Sequence, residues 1–338
     1  NENVIARNPD VIVGQLIRTT QPLGKFRKPD GWIDVPVRDE NGRIWPDDKR
    51  PVPVVPTIYP GQQETIDRAL QTAYPKPSAN DSRAARSVGA NFNGMGYTFV
   101  NPPDPSVCVG PNHVIQMING GSGAYFKVFN KSGVQVVAQT YLDQITGRGG
   151  LGDPIAEYDH IADRFVLMEF ANKSENGNQE GLIIAVSQSG DPTGGWNVYF
   201  YGYGNTFPDY PKLSVWTDAY YCTTNDFASA ISYVGTSVWA FDRAAMIAGS
   251  ATASAQRFTI GSASKHFSSC PVLLQGNAVP PSGTGGLIAY MQDNAWTSST
   301  TDVDSVGMLE FDVNFSTPAN STISHRASLA TAAFKSDI

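Results

Sequence analysis

The chain has 338 residues, of which 41% are hydrophobic and only 16% are charged, and its net charge is −7 at neutral pH. Phosphate binding needs a basic surface and a membrane span needs roughly 20 apolar residues, so we expect neither a nucleic-acid partner nor a membrane span. Low charge together with 32 glycines and 23 prolines is typical of exported β-proteins, whose polar faces carry Ser, Thr, Asn and Gly.

The first residues, NENVIARNPD, contain neither an initiator methionine nor an apolar signal segment. We interpret this as a processed end and predict an exported protein, extracellular or at the cell surface, whose signal peptide has been removed. Cys108, Cys222 and Cys270 lie far apart without a CxxC pair. One disulfide with a spare thiol, or buried free thiols, both remain open. The four histidines have no ligand-like spacing, which disfavours zinc.

Residues 1–87 are predicted to form an arm or lid that lies on the main body. VPVRDENGRIW predicts a hairpin with Asn41-Gly42 at its tip, and GQQETIDRALQTAYP predicts one short helix that Pro75 ends. The proline-rich stretch between them is predicted to be extended. Near the start, DVIVGQLI alternates in polarity, and we predict that it adds a strand to the sheet of a neighbouring copy.

From residue 88 to 338 the sequence predicts short strands separated by turns. AYFKVFNKSGVQVVAQ and LIIAVSQSGDPTGGWNVYFYGY are each typical of a hairpin, rich in aromatic and β-branched residues. Related hairpins recur roughly every 40 to 50 residues, which is the repeat length of propeller blades. We predict an all-β fold, a β-propeller of about four blades that is incomplete in this chain. Either the blades are fewer and larger than this count, or other copies of the chain or a second polypeptide complete the propeller.

Several segments resemble a family of secreted, largely uncharacterised bacterial β-propeller proteins with sialidase-like folds. The matching stretches include NPPDPSVCVGPNHVIQMING, GDPIAEYDHIADRFVLMEFA and FPDYPKLSVWTDAYYCTTNDF, in the family's order, over roughly residues 88–338. The resemblance implies an exported propeller and assigns no catalytic residues. The family has Asp-Thr-Asn-Gly after its paired prolines, whereas Asp104 is followed here by Pro-Ser-Val-Cys.

The stretch GDPIAEYDHIAD concentrates carboxylates around a predicted hairpin. Oxygen ligands in the loops of exported proteins suit calcium, so Asp153 and Asp159 are predicted calcium ligands, and calcium is the one cofactor we expect. An alternative is turn chemistry with Arg164 as an ion-pair partner. A third interpretation uses Glu157 and Asp159 as paired carboxylates for acid/base catalysis, because residues two apart share one face of a strand.

The stretch FPDYPKLSVW combines charged and aromatic side chains in a proline-braced loop. Asp209, Tyr210, Lys212 and Trp216 are candidate carbohydrate-binding residues, because sugar rings stack on aromatic faces while their hydroxyls take hydrogen bonds. His113 is a further candidate if it reaches the central pocket. The alternative is that the aromatic residues pack the blades. Asp104-Pro105, Asp153-Pro154 and Asp191-Pro192 are interpreted as repeated turns at comparable blade positions.

Two functions follow from these features. The first is a structural or binding module that assembles with copies of itself or binds a polysaccharide at the cell surface. It draws support from the polar surface and from the absence of a P-loop or GxSxG motif. The alternative is a carbohydrate-active enzyme, a polysaccharide lyase or glycoside hydrolase, that uses acidic residues with His113 or His160 in the central pocket. The sequence favours the first and leaves catalytic residues unassigned.

Overall fold

A computed structural model describes residues 4–23, 90–228, 232–261, 266–276, 279–296, 302–334 and 336. The hairpin, extended stretch and helix predicted between residues 24 and 87 lie outside the described residues. Across the residues that are described, the chain forms 18 strands and two short α-helices, α1 at Asp143–Thr146 and α2 at Arg243–Ala248. The prediction of an all-β fold is confirmed.

Four antiparallel, four-stranded units follow one another in the described part of the chain, and we call them blades 1 to 4. Blade 1 consists of β3 (Ser106–Val109), β4 (His113–Gly120), β5 (Gly123–Asn130) and β6 (Gln135–Tyr141). Blade 2 consists of β7 (Gly150–Asp159), β8 (Arg164–Ala171), β9 (Gly181–Ser187) and β10 (Trp196–Gly202). Blade 3 consists of β11 (Phe207–Val215), β12 (Tyr220–Phe227), β13 (Tyr233–Phe241) and β14 (Thr252–Ile260). Blade 4 consists of β15 (Cys270–Pro271), β16 (Gly286–Gln292), β17 (Ser305–Asp312) and β18 (Thr322–Ala330).

The two N-terminal strands tie the outer edges of the blades together. β1 (Val4–Arg7) pairs with β18 of blade 4, and β2 (Asp10–Thr19) pairs with β10 on one side and β14 on the other. Blades 2 and 3 are therefore joined into one nine-stranded sheet. Residues 10–15 of this segment pair with β14 and residues 15–19 pair with β10, so the segment adds to sheets of its own chain, and strand addition to a neighbouring copy stays a prediction.

The blades pack face to face through buried apolar residues. Along β8, Phe165 and Leu167 point into the core shared with blade 1, while Val166 and Met168 point into the core shared with blade 3. This alternation explains why residues 165–168 are all apolar, since both faces of the strand are buried. A third core joins blades 3 and 4.

The first strand of each blade lies beside the first strand of the next, β3 with β7, β7 with β11, and β11 with β15. These strands surround a common axis, which is the arrangement of a β-propeller. In the described residues no buried apolar cluster joins blade 4 to blade 1, and Val107 and Val109 of β3 are exposed.

Candidate functional site

An X-Pro pair lies within or directly before the first strand of every described blade. The pairs are Asp104-Pro105, Asp153-Pro154, Tyr210-Pro211 and Cys270-Pro271. Asp191-Pro192, which we expected to be equivalent, lies instead in the turn between β9 and β10 and caps Thr193. The repeat is therefore a structural feature of the axis, and its X position varies from Asp to Tyr to Cys.

Two of these X-Pro pairs lie at β-bulges, where the regular strand pairing is interrupted. Gly152 and Ile155 pair with Phe170 and Met168, so one extra residue is accommodated around Asp153-Pro154. Asp209 and Lys212 likewise pair with Asn225 and Thr223. Proline has no N–H for the ladder, and bulges redirect side chains near functional sites, so the sequence Asp-Pro or Tyr-Pro favours this geometry locally.

Three of the residues before proline have left-handed backbones. Their φ angles are 38° at Asp104, 48° at Asp153 and 51° at Tyr210. A residue with a Cβ disfavours this region, and a following proline restricts it further towards extended conformations. Such strain of roughly 1 to 3 kcal/mol per residue persists only where the surroundings impose it, and it clusters at functional sites.

The X-Pro residues line one pocket of about 540 Å³ on the propeller axis, which we call the axial pocket. Asp104, Asp153, Tyr210 and Cys270 all face it, together with Glu157 and Lys212. Ligand pockets of this size with a few convergent polar groups are typical small-molecule sites. The axial pocket is the candidate functional site.

Asn119, at the end of β4, holds the two aspartate loops of the axial pocket together. Its Nδ2 donates to the Asp104 carboxylate at 2.7 Å and to the Pro102 carbonyl at 3.0 Å. Its Oδ1 accepts the backbone N–H of Asp153 at 2.8 Å. A Cβ on Gly152 would lie only 2.4 Å from that oxygen, so glycine is required there. One buried amide thus positions carboxylates from blades 1 and 2.

Glu157, near the far end of β7, has the most distinctive chemistry in the axial pocket. Burial raises the pKa of its carboxyl group to about 7. A carboxylic acid that titrates near neutrality can both donate and accept a proton at working pH, which is the property general acids and bases need. Asp104 and Asp153 supply two further carboxyl groups in the same pocket.

Tyr210 and Lys212 form the side of the axial pocket that blade 3 contributes. The Lys212 ammonium lies 3.5 Å from the centre of the Tyr210 ring and donates to the Pro211 carbonyl at 3.0 Å. Tyr210 is 41% exposed. Burial lowers the pKa of Lys212, while nearby anionic groups, including Asp104 and Asp209, act in the opposite direction. These two predicted sugar-binding residues therefore do come together in a pocket.

A second pocket, of about 510 Å³, shares Glu157 and Leu273 with the axial pocket. It is lined by apolar residues of β3 and by Tyr158 and His160. Glu157 thus lines both cavities.

The structure separates Asp153 from Asp159, the two predicted calcium ligands. They lie six residues apart on β7, or about 20 Å at the rise of a strand. Asp159 is fully buried, and its oxygens accept bonds from Arg243, Tyr220 and the N–H groups of the turn. Within the described ranges no group of three or more His, Cys, Asp or Glu residues is placed to hold a metal ion. Calcium binding stays a prediction, and these two residues do not share a site.

The remaining predicted sugar-binding residues lie away from the axial pocket. Trp216 is 2% exposed, packs in the core between blades 3 and 4 and donates to the Thr284 carbonyl. Asp209 is buried within β11. His113 begins β4, with its Nε2 4.0 Å from the Asp191 carboxylate. Their surroundings fit the alternative of blade packing and turn contacts.

Sequence reasoning missed Asp104 and Cys270 as pocket residues and Asn119 as the support of the two aspartate loops. The signal was present in part, because an X-Pro pair lies at the first strand of each described blade, but only the Asp-Pro pairs were interpreted as a repeat. All three cysteines are free thiols, and Cys270 alone among them is exposed. Asn119 carries no sequence signal, because its role depends on loops from two blades.

Comparisons with known proteins give structural similarities only. No protein-family model matches the sequence, and no curated protein does. A xylan β-1,4-xylosidase from Bacillus halodurans C-125 aligns with a TM-score of 0.35 and 11% identity, over 66% of this chain and 41% of that one. A glycosyl hydrolase from Bacteroides ovatus aligns with a TM-score of 0.30 and 12% identity, over 67% and 70%. An exo-β-1,3-galactanase from Clostridium thermocellum aligns with a TM-score of 0.26 and 13% identity, over 73% and 66%.

Similarities at these TM-scores carry no argument about activity, and this chain spans less than half the length of the xylosidase. The family resemblance drawn from sequence motifs is supported at the level of the propeller and not at the level of a sialidase-like family. The blade topology and the axial pocket define the class: an all-β propeller-type protein with an acidic axial pocket. None of the described helices is long and apolar enough to cross a membrane.

Proposed function

We propose that this protein is a glycoside hydrolase whose reaction takes place in the axial pocket, with Glu157 as the general acid. The observation that carries the proposal is the Glu157 carboxyl group, which lines a pocket with two further carboxyl groups and whose pKa burial raises to about 7. Hydrolysis of a glycosidic bond uses a pair of carboxyl groups, one protonated and one ionised. This favours the enzyme over the purely structural or binding module.

Glu157 donates its proton to the glycosidic oxygen as the bond from that oxygen to the sugar carbon breaks, and the bonding electrons stay on the oxygen. Water then adds to the sugar carbon and gives up a proton, so the bond is hydrolysed with no other reactant. The ionised partner is Asp104 or Asp153, both of which Asn119 holds in place. An exported protein that acts on extracellular glycans fits the low content of charged residues.

The test is hydrolysis of a panel of α- and β-linked 4-nitrophenyl glycosides and oligosaccharides by the full chain and by Glu157→Gln. Loss of a positioned general acid lowers rates by roughly 10² to 10⁴. We expect kcat of Glu157→Gln to fall by that factor on substrates with poor leaving groups. Asp104→Asn and Asp153→Asn then identify the second carboxyl group.

Glu180→Gln is the matched control, because burial also raises the pKa of that carboxyl group but it pairs with Lys173 away from the pocket. It should keep full activity. Wild-type rates should also fall as pH rises through about 7, because Glu157 loses the proton it has to donate. No cleavage of any substrate, or equal rates for Glu157→Gln and wild type, would overturn the proposal.

A further inference from the structure

Lys212 is the cation of the axial pocket, and hydrolysis of a neutral sugar does not use it. Its ammonium is held in place by the Tyr210 ring and the Pro211 carbonyl. A lysine has three N–H donors, and only one carbonyl acceptor contacts this one in the described residues. The ammonium therefore has donors to offer to a ligand.

The charge of Lys212 has no ion-pair partner among the described residues. In the described parts of the protein no carboxylate oxygen lies within 4.0 Å of its Nζ, although Asp104 and Asp209 are near enough to influence its pKa. A half-buried cation without a paired anion is costly, and an anionic ligand group would offset that cost. The buried carboxylate of Asp159, in contrast, is paired with Arg243.

The axial pocket is divided by charge. Its blade 3 side carries the Lys212 ammonium over Tyr210, and its blade 1 and blade 2 sides carry Asp104, Asp153 and Glu157. A ligand that matches both sides has one anionic group for the lysine and hydroxyl groups that donate to the carboxylates. A uronic acid residue has this combination, with a carboxylate on one edge of the ring and hydroxyls on the others.

We propose that the sugar residue recognised in the axial pocket is a uronate whose carboxylate pairs with Lys212. This inference rests on the proposed function for its site, and it specifies the class of sugar. Tyr210 both holds the ammonium and, at 41% exposure, lines the pocket that receives the ligand. Lys212 is a specificity residue in this scheme and takes no part in proton transfer.

The experiment measures binding and hydrolysis of α- and β-linked 4-nitrophenyl glucuronides and galacturonides against the matching glucosides and galactosides. Binding is measured by calorimetry on Glu157→Gln, which should bind without turnover. We expect the uronates to bind at least tenfold tighter than the neutral sugars. In Lys212→Met that preference should disappear, and Lys212→Arg should retain part of it.

Lys127→Met is the matched control, because Lys127 also lies over an aromatic ring, Phe129 at 5.2 Å, but on blade 1 away from the pocket. It should keep the full preference. Equal affinity for uronates and neutral sugars, or a preference that survives in Lys212→Met, would overturn the inference. Cleavage of neutral glycosides that depends on Glu157 without uronate preference would overturn it and leave the proposed function standing. Uronate binding that depends on Lys212 without cleavage of any glycoside would overturn the proposed function and leave this inference standing.

Discussion

At the scale of single residues, burial decides the chemistry of the acidic side chains. Glu157 and Glu169 lie on neighbouring strands, and burial raises the pKa of the first to about 7 and of the second to about 8. Glu157 faces the axial pocket, whereas Glu169 is fully buried behind it and accepts the Ala124 N–H at 2.9 Å. The Glu157 carboxyl group is therefore placed to act on a ligand, whereas the raised pKa of Glu169 affects stability alone.

Glu169 makes the free energy of unfolding depend on pH. Its pKa is higher in the folded protein than the 4.5 of an unperturbed glutamate, so the unfolded chain holds fewer protons between those values. The contribution of Glu169 to stability is then fully present below about pH 4.5 and is lost as pH rises through about 8. The Glu169→Gln variant has no ionisable group at this position. We therefore expect its free energy of unfolding to fall less between pH 5 and pH 9 than that of wild type, by an amount on the order of a few kcal/mol. Urea denaturation at both pH values measures this.

Glu175→Gln is the control for that comparison, since Glu175 is exposed and accepts the Gly149 N–H at 2.9 Å. It should follow the wild-type pH dependence. The same pH dependence in Glu169→Gln as in wild type would show that Glu169 is not the group responsible.

At the scale of elements, the β7–β8 hairpin of blade 2 is tied to helix α2 of blade 3 by one buried ion pair. Arg243 Nε lies 2.6 Å and Nη2 2.9 Å from the two oxygens of Asp159, and Tyr220 donates to the same carboxylate. The sequence made Asp159 a candidate ligand or catalyst because it is a carboxylate beside a turn. Its neighbours come from another blade, and no local pattern predicts them.

Removal of one partner of this pair should be strongly destabilising. Asp159→Ala leaves the Arg243 guanidinium beside a buried cavity, and we expect the free energy of unfolding to fall by roughly 3 to 5 kcal/mol. Asp159→Ala/Arg243→Ala together should cost less than the sum of the single changes. Denaturant titration of the four proteins gives the coupling energy. The exposed pair of Arg257 with Asp10 is the reference, and Asp10→Ala should cost under about 1 kcal/mol.

At the scale of the whole molecule, strand β2 makes the outer rim continuous. It fills the space between β10 and β14, and Gly14 passes so close to Tyr201 that a Cβ there would lie 2.2 Å from the ring. Blades 2 and 3 therefore share both a core and a sheet, which favours their unfolding as one unit. Assembly with other copies or with a second polypeptide stays a prediction, and light scattering of the full chain against its 36.4 kDa tests it.

Deletion of residues 1–20 should break this continuity. The unpaired edges of β10 and β14 would become exposed, and exposed edges promote association between chains. We expect a lower melting temperature, a broader or divided transition in calorimetry and a larger particle in light scattering. A deletion variant that melts in one transition at the wild-type temperature and stays monomeric would contradict this role of β2.

The sequence by itself determined the all-β class, the hairpins and the blade repeat, because alternation of side chains and turn residues are local properties that neighbouring positions reveal. It also singled out Tyr210 and Lys212, since aromatic and charged residues in a proline-braced loop are conspicuous without a structure. The sequence did not distinguish Tyr210 and Lys212 from Trp216, which belongs to the same aromatic and charged stretch but packs between blades 3 and 4.

Only the tertiary structure decided which carboxyl groups meet and what their pKa values are. Asp104, Asp153 and Glu157 share a pocket because bulges and Asn119 bring blades 1 and 2 together. Asp159 lies only two residues from Glu157, but it is paired with Arg243 from blade 3. The pKa of a carboxyl group depends on burial and on charges that come from distant parts of the chain. Those contacts exist only after the blades have packed, so residue type and spacing could nominate the acidic residues and not assign their roles.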